Sequence, residues 1–431
     1  MIRVDLTYNV VEPSIIRVGN GSGNLLITQA STGAVSGDTI LIRAGTYSIN
    51  IEDIDAGEGG RIFIKNEGVV NVESTTRLKN LVNVTYSGDY VNGLTTGIRY
   101  QNIAGRGIQA EGIFNGVYIE NILFKNLLEF CIASHFSIFE RPYDGTAASR
   151  CSDLKFRNLE LDNCGGILWR GELNSVGETP YDIGMLKGLE ISGCYVHDCP
   201  DIGSAISFGN VEDYNIHHNV FKNINSMTNN HNGVCYMTGN GDFHHNYLRE
   251  YQGNAIRGWV FSRGDVPKEV NYYNNICSRS RKYSALEFQS FERLLWAGKT
   301  TTAVCNCYHN TAHQMHYEDN SGTTGNYYGV ILDVYGMFGS EVSAWNNAGI
   351  DFPYPNGSDF IFNGAVDNPY PGTNRYYATF ELAKVTDVEF LVLAGSPLTT
   401  GDYRENPEPI DDYYDNPRAG RPTIGAVQYI P

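Results

Sequence analysis

One phrase is written twice in this chain. "YNIHHNVFKNI" fills residues 214–224 and "GDFHHNYLREY" fills 241–251. Each sets an apolar residue, two histidines, an asparagine and a second apolar residue in the same order, with His217 and His244 standing 27 positions apart. A recurrence at this period marks a repeat architecture, in which each unit buries its apolar face only against its neighbours. The length of 431 residues fits that reading, since one ordinary compact core stops growing well before it.

Sliding the phrase along the chain extends it. "IENILFKNL" from Ile119, "FRNLELDNC" from Phe156, "ISGCYVHDC" from Ile191, "YYNNICSRS" from Tyr272 and "VCNCYHNTA" from Val304 keep the character of each position while the spacing drifts. The fourth position holds Asn219, Asn246 and Asn275 in three of these segments, and the eighth holds Asn126, Asn163, Asp198 and Asn223 in the first four along the chain. A second segment follows each one: "GILWRG", "AISFGN", "GVCYMTG", "AIRGWVF", "ALEFQSF" and "GVILDVY". It opens on a small residue (Gly166, Ala205, Gly233, Ala255, Ala285, Gly329) and then alternates, as in Ile167/Trp169 and Leu286/Phe288. Alternation at period two in short runs bounded by Gly and Asn specifies strands. Two strands per coil, stacked at about 4.8 Å, make an all-β, parallel β-helix solenoid with asparagine ladders along its turns. The expected organisation is an N-terminal segment and cap over 1–36, the β-helix over 37–351, and C-terminal coils with an irregular extended tail over 352–431. "GNLLITQAST" from Gly23 reads as a short amphipathic cap helix, and "YRENPEPIDDYYDNPRAGRP" as a surface-lying segment.

"GDTILIRAGTY" at 37–47, "GGRIFIKNEG", "LVNVTYSGDYV", and the closing "AGSPLTTG" and "GRPTIGAVQY" resemble the right-handed parallel β-helix (pectin-lyase-like) superfamily over about residues 37–430. That resemblance implies the fold and leaves the activity open. The superfamily includes polysaccharide lyases, glycoside hydrolases, epimerases, adhesins and phage tailspikes. The paired-Asp and Gly-His-Gly motifs of polygalacturonases and the Asp-Pro-His-Asp motif of alginate epimerases are missing, so no catalytic residues carry over.

The formal net charge of -17 argues against a nucleic-acid-binding role, which needs a basic face. No apolar run approaches the roughly 18 residues of a membrane span. "MIRVDLTYNV" lacks the apolar core of a secretory leader. The expected location is therefore extracellular, at the cell surface, after trimming of a leader, or on a virion. Nine cysteines without zinc-ribbon spacing are expected to be free thiols in the interior.

Stacked coils leave a groove along the axis that suits a linear polymer. The long insertions, 136–150, 171–187, 262–268 and 291–302, all leave the same corner and wall that groove. Substrate-binding residues expected there are Arg141, Tyr143, Glu172, Tyr181, Arg293 and Trp296, since aromatic faces beside charges suit sugar rings. Alternation turns Leu168, Ser207, Cys235, Arg257 and Glu287 outward, with Arg170, Met237, Gln289 and Asp333 one step on. Arg257, Glu287, Arg170 and Asp333 are the expected catalytic set. Arginine neutralises a uronate carboxylate in a lyase; Glu287 with Glu172 or Asp333 would form a hydrolase pair. Self-neutralisation of Arg257 by Glu287 is the plain structural alternative.

His217 and His244 face outward and offer imidazole ligands, and "HNTAHQMH" reads as a loop gathering His309, His313 and His316. Stacked repeat residues explain both without a metal, so no metal site is assigned. Calcium (Ca) is the one cofactor hinted at, by Asp53, Asp55 and Glu58, where a capping turn is the simpler account. Two function classes follow. One is a glycan-directed protein that binds a polysaccharide and cleaves it as a lyase or hydrolase. The other is a non-enzymatic virion component, such as a tailspike, or an adhesin, with a homo-oligomer (a trimer for a tailspike) as its partner class.

Overall fold

The computed structural model describes residues 12–90, 95–134, 143–169, 181–227, 233–295, 299–318, 329–353, 361–364, 368–370, 372–401, 409–418 and 422–431; the side chains of Arg293, Leu294 and Asn363 are not among those described. Parallel strands stack rung upon rung. Cys151–Arg157 pairs with Leu186–Ser192, which pairs with the second half of Ile206–His217, and so on through Cys235–His244, Glu269–Tyr273, Val304–Tyr308 and Glu341–Trp345. A second face runs from Ile122–Lys125 through Glu160–Asp162, Tyr195–Cys199, Val220–Ile224, Tyr247–Tyr251, Ile276–Ser280 and Thr311–Met315. A third runs from Phe130–Ser134 through Gly165–Trp169 to Ile256–Val260, Leu286–Gln289 and Leu332–Tyr335. The chain is thus a parallel β-helix, with three strands to a coil.

The third strand per coil corrects the expected two. Each apolar–Asn segment is a pair of strands bent at a corner, and the corner residue adopts the left-handed conformation: Asn158, His218, His245, Asn274, His309 and Asn346 all have φ between 51 and 54. Asparagine tolerates that conformation better than most residues with a side chain. Just inside the corner, Asn219, Asn246, Asn275, Asn310, Asn347 and Asn374 form an unbroken ladder. Each amide donates to the oxygen of the next over 2.9–3.1 Å. The segment "VCNCYHNTA" has Cys307 at the fourth position, but it is Asn310 that carries the ladder onward. A solvent-side ladder joins Asn102, Asn126 and Asn163, and Asp198 with Asn223.

Inward side chains stack like over like. Phe156, Ile191, Ile216, Phe243 and Tyr272 form one such column and are all buried. All nine cysteines are buried and free. At the N-terminal end, Ser22–Thr28 is a strand paired with Thr46–Glu52, and only Gln29–Thr32 is helical. The expected cap helix fails because Leu25, Leu26 and Ile27 read half-buried, exposed, buried, which is strand alternation. Rungs lie on both sides of positions 36 and 352: Ile15–Val18 pairs with Thr39–Ile42, and Arg375–Tyr377 pairs with Ala348–Ile350. Residues 411–418 and 422–427 lie along the left-handed corner. There Arg418 donates to Asn274, and His309 bonds the Thr423 carbonyl.

Candidate functional site

Along the outer side of the third face, Leu168, Ser207, Tyr236, Arg257, Glu287 and Asp333 form one row, each in register with the next. The sequence reading put Cys235 where Tyr236 stands, and turned Cys235 and Met237 outward. Both are fully buried. That coil's strand begins at Cys235, in register with Ile206 and Ile256, so Val234 rather than Gly233 holds the position of Ala205 and Ala255. A slip of one residue exchanges the two faces of a strand. Asp333 moves into the Arg257 row for a similar reason, since Leu332 rather than Val330 pairs with Leu286.

The first four residues of the row floor a cleft of about 920 Å3. Leu168, Ser207, Tyr236 and Arg257 lie along it, and one wall is made by the turns Leu127 to Phe130 and Cys199 to Ser204. Its described charges are Glu129, Asp201 and Arg257. The Arg257 side chain is 20% exposed, its Nε donating to Glu287 Oε1 at 2.9 Å and its Nη2 to Gln289 at 3.4 Å. Glu287 itself is fully buried. Burial lifts its carboxyl from the ordinary 4.5 to about 7; the Arg257 charge pulls against that rise and the Asp333 charge adds to it. Desolvation therefore outweighs attraction in this pair, as it does in many buried ion pairs.

Asp333 is buried as well, accepting hydrogen bonds from the Ser284 hydroxyl and from Asn254 Nδ2. Both carboxylates thus sit behind the surface, and Arg257 is the member of the group that reaches the cleft. Arg170, Arg141, Glu172 and Trp296 lie outside the described residues, as does the Arg293 side chain. Tyr143 is buried: its hydroxyl donates to the Ile183 carbonyl, and its ring meets Tyr181 edge-on with centroids 5.4 Å apart. Arg263, also buried, donates to the Tyr181 carbonyl and to Asn210. In the described parts of these insertions, Tyr143 and Tyr181 pack on each other rather than offering free rings to a sugar.

The other clusters resolve differently. His309, His313 and His316 are buried on successive turns and a strand rather than gathered in a loop. Asp53 accepts from Asn80 on the neighbouring rung, and Asp55 accepts from the Gly57 amide in a turn at the strand's end. Among the described residues, two groups have ligand atoms close enough to share an ion: His218, His245 and Asp415, and Asp162, His197 and Asp198. In the second, Lys125 Nζ sits 2.5 Å from Asp162 and already supplies the cation. Ser207 stands in the outward row as expected, whereas Tyr236 and Asp415 were not expected at a site; placing the start of "GVCYMTG" on Val234 gives Tyr236.

No protein-family model matches this chain, and no curated protein matches it. Among solved structures it is similar to the pectate lyase Pel9A, at 11% identity, covering 95% of this chain and 97% of that one with a TM-score of 0.44. It is also similar to the PL6 family polysaccharide lyase Pedsa3628 from Pseudopedobacter saltans, at 12% identity and TM-score 0.41, covering 96% and 100%. A third is the PL6 family alginate lyase AlyGC, at 11% and 0.38, covering 82% and 53%. At these values the fold assignment rests on the strand pairing itself.

Proposed function

We propose that this protein binds an acidic polysaccharide along the third face and cleaves it by β-elimination, outside the cell or on a virion. The observation that carries this reading is Arg257: a partly exposed cation, held from below by buried Glu287, at the cleft floor and in register with Tyr236. In β-elimination a base takes the C5 proton of a uronate, the electrons form the C4–C5 double bond, and the C4 glycosidic oxygen leaves with a proton. The carbanion-like charge spreads onto the carboxylate, so a fixed cation there lowers the barrier. Arg257 is the group for that role and Glu287 positions it. Tyr236, one rung away beside the guanidinium, is the group for proton transfer. A hydrolase pair from Glu287 and Asp333 is disfavoured because both are sealed from the cleft.

A second reading, glycan binding without turnover on a rigid scaffold, is favoured by one observation: Arg257 already has Glu287 and Gln289 as partners. Incubation with a panel of uronate-containing and neutral polysaccharides separates the two. New ultraviolet absorbance from unsaturated uronate ends is expected. Retention on a glycan without new ends would support the scaffold; reducing ends without that absorbance would mean hydrolysis and overturn the lyase assignment.

A further inference from the structure

Four histidines on two adjacent rungs form a block in which each hydrogen bond fixes the next. His217 Nδ1 lies 2.8 Å from His218 Nδ1, and His244 Nδ1 lies 2.6 Å from His245 Nδ1. The rings also stack between rungs, His217 on His244 at 5.0 Å and His218 on His245 at 4.8 Å. In each Nδ1 pair one ring donates and the other accepts.

The tautomers of the upper pair can be read from their neighbours. Arg418 donates to Asn274 Oδ1 at 2.8 Å, so the Asn274 amide nitrogen is the atom facing His245 Nε2 at 3.1 Å. His245 Nε2 is therefore a lone pair, and its proton sits on Nδ1. That proton is donated to His244 Nδ1, while His244 Nε2 donates to Asn215 Oδ1 at 2.8 Å. Burial, with the charge of its neighbouring rings, holds His244 down to about 2, and burial also lowers His245.

His245 Nε2, whose lone pair faces the Asn274 amide, also stands 3.3 Å from an Asp411 carboxylate oxygen. His218 Nε2 stands 3.0 Å from Asp415 Oδ1. The ligand atoms of His218, His245 and Asp415 all lie within 4.8 Å of one another. The acidic turn is held rigidly: Asp412, fully buried, accepts from the backbone amides of Tyr414, Asn416 and Gln428.

We propose that His218, His245 and Asp415 bind a divalent transition-metal ion that fastens the C-terminal segment to the corner of the β-helix. Two imidazole nitrogens and a carboxylate, with a fourth position open to water, suit zinc or cobalt. The Nδ1 protons of both ligand rings then point at His217 and His244, the outer support that metal-bound histidines ordinarily have. This site is separate from the cleft and independent of the reaction assigned to it.

The test uses the full chain after dialysis against a chelator, titrated with Zn2+ and Co2+ by calorimetry and visible absorption. Saturable binding at one site is expected, with a cobalt d–d band, a rise in Tm, and protection of residues 409–418 from proteolysis. All nine cysteines are buried, so thiolate does not confuse the spectrum. H218A and D415N, both at exposed positions, should weaken binding more than about tenfold, and H217A should weaken it by about 10- to 100-fold. H197A, in the other cluster, should leave it unchanged. Absence of saturable binding, or binding indifferent to H218A and D415N, would overturn the proposal.

Discussion

At the scale of the residue, Glu287 gives the cleft its most distinctive chemistry. Its carboxyl is raised by burial to about 7, above the 4.5 it has in an unfolded chain. Between those values the unfolded state ionises first while the native state keeps its proton. Stability therefore falls as pH rises from about 4.5 to 7, by on the order of 3 kcal/mol, and is flat in this group above that. Chemical denaturation across this range should show the slope in the native sequence and lose it in E287Q; an unchanged slope in E287Q would assign it elsewhere. Asn246 is the matching case for stability. Its side chain donates to Asn275 and to the Ile216 carbonyl and accepts from Asn219, entirely out of water. Asn246→Ala strands those partners and should cost about 2–4 kcal/mol, read as a lower denaturation midpoint with an unchanged slope. A loss under about 0.5 kcal/mol, the range of ordinary surface changes, would mean the ladder is decorative.

At the scale of the element, the coil corners decide what the strands can do. Gly239 shows this best: it has φ of 127 and sits against the rung below, where a Cβ would run into the Val211 carbonyl oxygen. Gly239→Ala should destabilise by more than about 1 kcal/mol, measured by thermal or chemical unfolding, whereas an alanine at open Gly264 should cost less. Corners also explain how much was legible beforehand. The repeat, the parallel stacking and the Asn219–Asn246–Asn275 ladder follow from residues recurring in register, and the pairing of Arg257 with Glu287 follows from alternation. Tyr236 did not, because a one-residue error in locating the strand start sends every side chain to the other face. Nor did the third strand, because a left-handed His218 or Asn274 bends the chain without interrupting the apolar pattern. Asp415 meets His218 across 197 residues of sequence, and nothing local announces such a contact.

At the scale of the whole molecule, the solenoid separates two jobs. Its core and ladders hold the rungs at a fixed spacing, and the third face displays one residue per rung along a line a polymer can follow. An acidic chain of net charge -17 repels an acidic glycan at long range, so capture depends on a local cation and should strengthen with added salt until the Arg257 contact is itself screened. Arg257→Ala leaves the column standing, because Glu287 can take up a proton when its partner is gone, while Arg257→Lys keeps the charge and loses the forked geometry. The most direct measurement is kcat/KM on a uronate polymer for the native protein, R257K, R257A and R257A/E287Q, with Tm recorded for each. The account predicts folded variants in all cases, activity in R257A reduced at least about 100-fold, and partial retention in R257K. Full activity in a folded R257A would contradict it.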